Sequence, residues 1–416
     1  MWRLLIPTLV SLVLFFTTSP LVAKKQSISF WHIVGYHGKP VIDEMVDEYN
    51  RSHAQAQVKP DFQGFFEDAQ VKMLTAALSK RLPEVAQIPF EFLQIYVDNG
   101  FIEPMNDDIP EELKSDVSEN LWALVERNGA IYGLPFCVFT DVFYYNENAF
   151  RRAGLDPDKP PETWDEMIEM GKKLSRDDDG DGINDSYAIT FYLEGMYGIA
   201  PLLWANGGRF FTADNKRVNL TSPEMQKTIM MIHDLFFKYR LISRTWTGWE
   251  TAQSFLTGNL AMGWFISAGI PYSEQNLPWP LRIAHMPRFN GRRYGLLSGT
   301  VLVNFAKKKK QRHAVTEFML WLLSRENDIR FYEKVGFVPI RTSSRSSLEV
   351  QAFARAHPNY RIPLEAIEYA RPLPHHTEFL KINQAISEML SRIILSEADP
   401  LEELEKTERE INEQLE

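Results

Sequence analysis

The chain has 416 residues, of which 44% are hydrophobic and 24% charged, and its formal net charge is -10. This is the composition of a globular protein that is long enough for two domains with sizeable cores. Because phosphate binding depends on clustered lysine and arginine side chains, the acidic balance argues against nucleic acid as a partner. The one basic run, residues 307–312, is typical of a solvated loop before a helix.

The N-terminus has the pattern of a secretory signal peptide. Arg3 precedes an apolar run from Leu4 to Phe16, which is too short to span a bilayer, and a polar, proline-containing segment follows. We therefore expect a cleaved signal peptide over residues 1–23; the alternative is a buried N-terminal helix. Cys137 is the only cysteine, so the sequence offers no internal disulfide, no cysteine-based zinc site and no lipid attachment near the cleavage point.

Strands and helices alternate after this segment. Residues 28–32, 57–62 and 84–88 are short apolar runs typical of strands, and two helical patterns separate them. The first of these helices is predicted to bury one face, formed by Val41, Ile42, Met45, Val46 and Tyr49. This β-α-β-α-β order predicts an α/β fold with a mostly parallel sheet and helices on both faces.

A second region begins with the apolar, strand-like run at residues 135–146. Thr163 and Glu166 have the spacing of a capping box, which predicts that a helix begins there. We expect a short strand at residues 187–190, and we expect the charged segment 379–415 to be helical.

Residues 176–188, RDDDGDGINDSYA, have most of the pattern of a calcium-binding loop. Aspartates occupy positions 1, 3, 5 and 9, glycine occupies position 6, and a backbone carbonyl would serve at position 7, but Ala188 at position 12 cannot bind a metal. Five carboxylates within nine residues repel one another without a cation, so we expect a structural calcium ion rather than a solvated acidic turn, and no catalytic cofactor. The predicted ligands are Asp177, Asp179, Asp181, Ile183 and Asp185.

Several segments, taken in their order and spacing, resemble those of extracellular solute-binding proteins of ATP-driven import systems. They are ISFWH (28–32), the stretches 83–105 and 132–167, LLWANGG (202–208), FLTGNLAM (255–262) and VGFVPIR (335–341). The chain is similar to the branch that contains the glycerol-3-phosphate-binding and sugar-binding, maltose-binding-like proteins. The resemblance covers residues 26–415.

The resemblance implies a two-lobed periplasmic-binding-protein fold with a ligand cleft between the lobes. The chain would cross the hinge three times, near residues 137–142, 281–286 and 337–341. Lobe 1 would comprise residues 24–139 plus 285–338, and lobe 2 residues 140–284 plus 339–416. As a periplasmic monomer, the protein would close on its ligand and deliver it to the transmembrane permease subunits of an ABC importer, without catalysis.

A saccharide or polyol site needs flat aromatic faces for the C–H groups of the ligand and planar polar groups for its hydroxyls. The sequence contains 10 tryptophans and 12% aromatic residues, although core packing is the commoner role for any single tryptophan. The aromatic candidates at predicted strand ends and loops are Trp31, Tyr36, Trp204, Trp246, Trp249 and Trp264.

Polar candidates come from the same resemblance. Glu67, which follows a predicted strand and opens a helix, matches an acidic residue that accepts hydrogen bonds from ligand hydroxyls; an interaction with the helix dipole is the alternative. Ser267 matches a ligand-contacting serine of the glycerol-phosphate binders. The small residues Ser298, Gly299 and Thr300 match a segment whose backbone can approach a ligand closely. The remaining candidates are Phe337 and Arg371.

Three departures from the phosphate-binding members bear on the ligand. Residues 137–140 replace a serine-rich stretch, Phe337 replaces a tyrosine, and a further arginine is missing near Pro374, although Arg371 remains. Because a buried dianion needs charge-assisted partners, we place a neutral saccharide or polyol above glycerol 3-phosphate or a glycerophosphodiester.

A secreted glycoside hydrolase is the alternative from another class of protein, since the 55 aspartates and glutamates could supply a catalytic pair. However, neither a His-Glu-x-x-His nor a Gly-x-Ser-x-Gly motif occurs in the sequence. A protein that docks on a membrane sensor instead of a permease would have the same pattern, and the sequence does not distinguish the two.

Overall fold

The computed structural model describes residues 25–35, 38–64, 66–191, 193–245 and 248–415, without the side chains of residues 66–68 and 248–249. The predicted signal peptide lies outside the described residues. So do the side chains of four candidate site residues, Tyr36, Glu67, Trp246 and Trp249.

The described residues form ten strands and eighteen α-helices. The strands are β1 Gln26–His32, β2 Ala56–Phe62, β3 Val85–Pro89, β4 Glu126–Arg127, β5 Ala130–Ile131, β6 Leu134–Asn146, β7 Met262–Ile266, β8 Leu281–Ala284, β9 Gly295–Asn304 and β10 Ala370–Arg371. The helices are α1 Gly38–Ser52, α2 Phe66–Leu78, α3 Leu93–Asp98, α4 Glu111–Asp116, α5 Glu119–Val125, α6 Glu147–Arg152, α7 Trp164–Leu174, α8 Met196–Ala205, α9 Pro223–Phe237, α10 Gly248–Thr257, α11 Ile270–Asn276, α12 Lys309–Leu322, α13 Arg325–Val335, α14 Thr342–Arg345, α15 Leu348–Ala356, α16 Pro358–Ala366, α17 Phe379–Leu395 and α18 Pro400–Leu415.

Eight of these strands belong to one mixed sheet with the order β2-β1-β3-β9-β6-β7, in which β8 also pairs with β6 and β10 with β9. β1 pairs in parallel with β2 and β3, as the β-α-β-α-β order predicts. β9 is antiparallel to β3 and β6, and β7 and β8 are antiparallel to β6. The prediction of a mostly parallel sheet is therefore wrong beyond β3, because β9, which pairs with β3, is antiparallel to both β3 and β6.

Local sequence signals are borne out where the pattern is strong. The five apolar residues predicted for one face of α1 are all buried. Helix α7 begins at Trp164, and the Oγ1 atom of Thr163 accepts a hydrogen bond from the backbone N–H of Glu166 at 3.2 Å. The carboxylate of Glu166 accepts from the backbone N–H of Glu162 at 2.8 Å, one residue before the position that a capping box predicts.

One further local prediction is confirmed and one is wrong. The C-terminal segment is helical, as predicted, and is divided into the pair α17 and α18. Pro400 opens the second helix, where its missing N–H costs nothing, and Glu397 has a left-handed φ of 56°. Residues 187–190 form no strand; Tyr187 makes an isolated parallel bridge to Leu260.

The buried apolar residues form two large cores. The first draws on residues 28–138 and 297–340 together with Ile367 and Ala370. The second draws on residues 143–296 and 373–411. A smaller cluster, which includes Tyr144, packs helices α15 and α16 against β6 and β8. The lobe boundaries given above stay a prediction.

Strands β6 and β9 pass between the two cores, and every residue of both strands is buried. On β9 the change of core falls between Leu296 and Leu297. The β6–β9 register shifts between Phe136 and Phe139, and Cys137 there has a φ of 52°. This irregularity puts a bend where the two cores meet.

The chain passes between the cores again between Ala370 and Leu373. Val338, in the segment after α13, belongs to the first core, and its N–H donates to the carbonyl of Val138 at 2.8 Å. Just before it, Gly336 ends α13 in a left-handed conformation, with a φ of 85°. Within the described residues, no helix combines the length and the apolar character that crossing a membrane requires.

Candidate functional site

Groups from both cores meet beside the buried end of β3. Glu91 follows this strand directly, in a short turn of 3-10 helix formed by Phe90–Phe92. The hydroxyl of Ser298, on β9, donates to the Oε1 atom of Glu91 at 3.2 Å. Tyr197, on α8 beside the second core, also forms a side-chain hydrogen bond with Glu91. One carboxylate is thus shared by the first core, the connecting strand and the second core.

The electrostatic environment of the Glu91 carboxylate favours contact with the hydroxyls of a ligand. Burial raises the pKa of Glu91, although the hydrogen bonds from Ser298 and Tyr197 act in the opposite direction. Burial raises the pKa of Tyr197 as well, and the neighbouring carboxylates of Glu91 and Glu194 add to that shift. A desolvated carboxylate that can accept several hydrogen bonds is the kind of group that binds a polyhydroxylated ligand.

Ser298, Gly299 and Thr300 occupy consecutive positions on β9 but have different surroundings. Thr300 donates to the carbonyl of Phe136 at 2.6 Å and accepts from the side chain of Gln87 at 2.8 Å. Gly299 has a φ of 148°, and a Cβ atom there would lie 2.6 Å from the carbonyl oxygen of Cys137. Thr300 and Gly299 therefore hold the backbone of β9 close to its neighbouring strands, whereas the hydroxyl of Ser298 contacts Glu91.

Two other predicted residues lie beside strand β6 where it runs between the cores. Ser267 is completely buried, and its Oγ atom accepts a hydrogen bond from the N–H of Thr140 at 3.3 Å. The ring of Phe337 lies 6.4 Å from that of Phe139 and 6.1 Å from that of Phe331. Phe337 thus packs against the first core and lies beside Phe139, in the part of β6 that runs between the cores.

The three described tryptophans among the candidates pack mainly against core residues. Trp264 is 3% exposed and makes edge contacts with the rings of Trp164 and Phe191. Trp204 is buried in the same second core. Trp31 is partly buried against the first core. In this structure Trp264 and Trp204 present no open ring face, so their role as a sugar platform stays a prediction.

Arg371 lies in a separate groove and not among the groups that contact Glu91. Its guanidinium lies 4.1 Å from the ring centre of Tyr294, and both residues line a groove of about 570 Å³. The candidates thus divide into the group around Ser298, the residues beside β6 and the lining of this groove.

A segment after β10 ties the two cores together. The Nδ1 atom of His375 lies 2.9 Å from the guanidinium of Arg127, and its Nε2 atom lies 3.1 Å from the carbonyl of Ala123. Thr377 donates to Asp98 at 2.8 Å. Burial lowers the pKa of His375 to about 4, with the positive charge of Arg127 as a further cause. The neutral ring is therefore the form that links the cores at neutral pH.

The acidic loop brings three of its predicted ligands together. One carboxylate oxygen from each of Asp177, Asp179 and Asp185 lies within 4.8 Å of the others, and all three residues are exposed. Calcium binds oxygen atoms at about 2.3–2.6 Å. Two oxygen ligands on opposite sides of one calcium ion are therefore about twice that length apart, which is close to the 4.8 Å within which these carboxylate oxygens lie. Asp181 lies outside this group of three and accepts a hydrogen bond from the N–H of Ile183 at 2.7 Å. The three carboxylates are oxygen donors of the kind that calcium binds, and the ion itself stays a prediction.

Known proteins resemble this chain both in sequence and in fold. The family model for bacterial extracellular solute-binding proteins matches residues 38–329, which is more than half of the chain. The chain belongs to the bacterial extracellular solute-binding protein family. It is therefore a solute-binding protein, as the order of sequence segments predicts.

The individual relatives have low sequence identity to this chain. The sn-glycerol-3-phosphate-binding periplasmic protein UgpB of Yersinia pestis is 24% identical over 365 residues, 84% of this chain and 82% of its own length. UgpB of Escherichia coli O6:K15:H31 is also 24% identical, over 85% of this chain and 84% of its own.

Solved structures confirm the fold. The cyclic alpha-maltosyl-1,6-maltose binding protein of Arthrobacter globiformis superimposes with a TM-score of 0.83 at 22% identity, over 94% of this chain and 99% of the other. UgpB of Mycobacterium tuberculosis in complex with glycerophosphocholine gives a TM-score of 0.82 at 20% identity, over 94% and 98%. The predicted two-lobed α/β fold of the periplasmic binding proteins is thus confirmed.

Glu91 and Tyr197 were not among the residues predicted from the sequence. The signal for Glu91 was present, because it follows an apolar strand that ends at Pro89, just as Glu67 follows the strand before it. β2 and β3 both pair in parallel with β1, which lies between them, so acidic residues that follow these strands come to the same edge of the sheet. No comparable signal marks Tyr197, since its approach to Glu91 depends on how the second core packs against the first.

Proposed function

We propose that this protein is the substrate-binding subunit of an ABC importer, and that it captures a saccharide or polyol between its lobes. The observation that carries the proposal is Glu91, which binds Ser298 on the connecting strand and Tyr197 beside the second core. A ligand that replaces these contacts would touch both lobes, and it would favour the closed arrangement by its differential affinity for the two states.

The chemistry around Glu91 supports a neutral ligand. A carboxylate accepts hydrogen bonds from sugar hydroxyls but repels a phosphate. Glycerol 3-phosphate or a glycerophosphodiester is the second candidate, which the names of the UgpB relatives and the glycerophosphocholine complex of one structural neighbour favour.

We further propose that the protein binds its ligand without chemical change, as a monomer in the periplasm. Relatives described as periplasmic binding proteins and the signal-like N-terminus support this location. Closure would present a surface formed by both lobes to the transmembrane permease subunits. Gene neighbourhood would distinguish an importer subunit from a sensor partner.

A ligand panel tests binding and catalysis together. Purified mature protein is titrated with oligosaccharides, polyols, glycerol 3-phosphate and glycerophosphodiesters, with tryptophan fluorescence and calorimetry as readouts. The compounds are then analysed by chromatography after prolonged incubation. We expect saturable binding of one neutral compound, which is recovered intact. Preferential binding of a phosphate compound would favour the second candidate, and cleavage products would identify a hydrolase.

We also propose that the acidic loop holds a structural calcium ion through Asp177, Asp179 and Asp185, with Asp181 and the Ile183 carbonyl as further ligands. The close approach of the three carboxylates supports this role. Calcium would neutralise their mutual repulsion and fix the segment that follows α7. The ion would stabilise the second lobe without contacting the transported ligand.

A further inference from the structure

The groove that contains Arg371 has an electrostatic character opposite to that of the whole chain. We call it the arginine groove; its lining includes Arg292, Arg293, Arg371, Glu368, Ser118 and Asn120. Three arginines and one glutamate give these residues a formal charge of +3 − 1 = +2, whereas the chain carries -10. A local excess of positive charge on an acidic protein attracts anions.

Two tyrosine rings orient two of the guanidinium groups. Arg371 lies over Tyr294 at 4.1 Å, and Arg293 lies 5.9 Å from the ring centre of Tyr369. A guanidinium attracted to the face of an aromatic ring can still donate hydrogen bonds through its N–H groups. The two ring contacts thus restrict where these guanidinium groups lie and leave donors for a ligand.

A tight turn positions Arg292 at the opposite wall of the groove. Phe289 and Arg292 exchange two backbone hydrogen bonds, of 2.8 and 3.0 Å, across Asn290 and Gly291. Both central residues have positive φ, 50° and 73°, as a type I′ turn requires. The backbone that carries Arg292 and Arg293 is therefore rigid, which reduces the entropy lost on binding a ligand.

Two of the three arginines of this groove have no ion-pair partner among the described residues. Within the described part of the chain, neither Arg292 nor Arg371 has a carboxylate at ion-pair distance. Arg293 pairs with Glu162 at 2.5 Å, but its Nε atom is buried without a hydrogen-bond partner among the described residues. A buried donor without a partner carries a desolvation cost that an anionic ligand could remove.

We propose that the arginine groove is a second ligand site, which binds an organic phosphate independently of the group around Glu91. A phosphate accepts bidentate hydrogen bonds from guanidinium groups, and the nearby side chains of Ser118 and Asn120 can bind polar parts of the same molecule. The volume of about 570 Å³ suits a phosphate ester with a ring-sized body rather than a bare ion. Tyr294 and Tyr369 provide apolar surface for that body.

Phenyl phosphate is a suitable probe, and phenol is its neutral control. Calorimetry and phosphorus NMR on the full mature protein should detect saturable binding of phenyl phosphate, but not of phenol, at low salt. The double variant Arg292→Gln/Arg371→Gln should weaken this binding roughly tenfold or more, since two charge-assisted contacts are lost. Both side chains are exposed, so the variant should fold, as circular dichroism would verify; the single variant Arg292→Gln gives the same test at smaller amplitude.

Two control variants show whether phenyl phosphate binding depends on this groove in particular. Arg355→Gln removes the same charge from an exposed position on α15 and should leave phenyl phosphate binding unchanged. Glu91→Gln should also leave it unchanged. The proposal is wrong if phenyl phosphate does not saturate the protein, if Arg355→Gln weakens binding as much as the double variant, or if binding depends on Glu91 instead. None of these results would affect the import function proposed above.

Discussion

Glu91 illustrates how one side chain can report on the arrangement of the whole molecule. Its carboxylate is desolvated, accepts a hydrogen bond from Ser298 and interacts with Tyr197. In the proposed mechanism a ligand hydroxyl takes the place of one of these donors. The residue would then serve ligand binding and lobe closure through the same oxygen atoms.

Replacing Glu91 with glutamine should weaken binding of the captured ligand without unfolding the protein. The amide keeps the shape but loses the charge, and a hydrogen bond to a charged group contributes about 1.5–3 kcal/mol. We expect affinity to fall roughly 10- to 100-fold in calorimetry. The matched control is Glu405→Gln, an exposed change on α18. Equal affinities in wild type and Glu91→Gln would remove Glu91 from the site.

Asp141 is a second residue whose role can be tested, through the pH dependence of the free energy of unfolding. It lies on β6 between the cores and is 7% exposed, and among the described residues its carboxylate accepts one long hydrogen bond, 3.4 Å, from the N–H of Leu296. Burial raises the pKa of Asp141 from 3.8 to about 7. The folded state thus holds this proton more tightly than the unfolded state, and the stabilisation is lost as pH rises towards 7.

The contribution of Asp141 to the free energy of unfolding should therefore be larger at pH 5 than at pH 8, by about 3 kcal/mol. Urea unfolding of wild type and Asp141→Asn at both pH values measures it, because contributions from other groups cancel in the comparison. Asp141→Asn should lose this part of the pH dependence, whereas the exposed variant Asp107→Asn should keep it. Parallel pH profiles for wild type and Asp141→Asn would refute the assignment.

At the scale of elements, sequence prediction succeeded where the signal is local. The buried face of α1 and the start of α7 follow from residue spacing and capping alone. The direction of β9 did not, because a strand that returns between two cores has the same apolar pattern in either direction. The position of Glu91 after β3 is a local signal, whereas its contact with Tyr197, more than 100 residues away in the sequence, is not.

The acidic loop after α7 is an element whose proposed role can be tested separately from transport. Calcium should raise the melting temperature by several degrees, since a ligand that binds only the folded state at 100 times its Kd adds about 2.7 kcal/mol. Magnesium should have a smaller effect, because it prefers strict octahedral geometry. The double variant Asp177→Asn/Asp179→Asn should lose the calcium response in thermal unfolding while it keeps its affinity for the transported ligand. An undiminished calcium response in this variant would place the ion elsewhere.

At the scale of the whole molecule, the proposed mechanism requires two cores that are joined by few chain passages and can move as bodies. β6, β9 and the segment between Ala370 and Leu373 connect them, while contacts such as His375 with Arg127 and Thr377 with Asp98 hold them together. Those polar contacts are individually weak. A ligand that touches both lobes can therefore shift the balance between open and closed forms.

Small-angle X-ray scattering of the mature protein, with and without a saturating amount of the ligand found in the panel, tests lobe closure most directly. We predict that the radius of gyration falls when the ligand is added, and that the ligand is recovered unchanged from the same sample. A scattering curve that does not change on saturation, or the appearance of reaction products, would contradict the proposed mechanism.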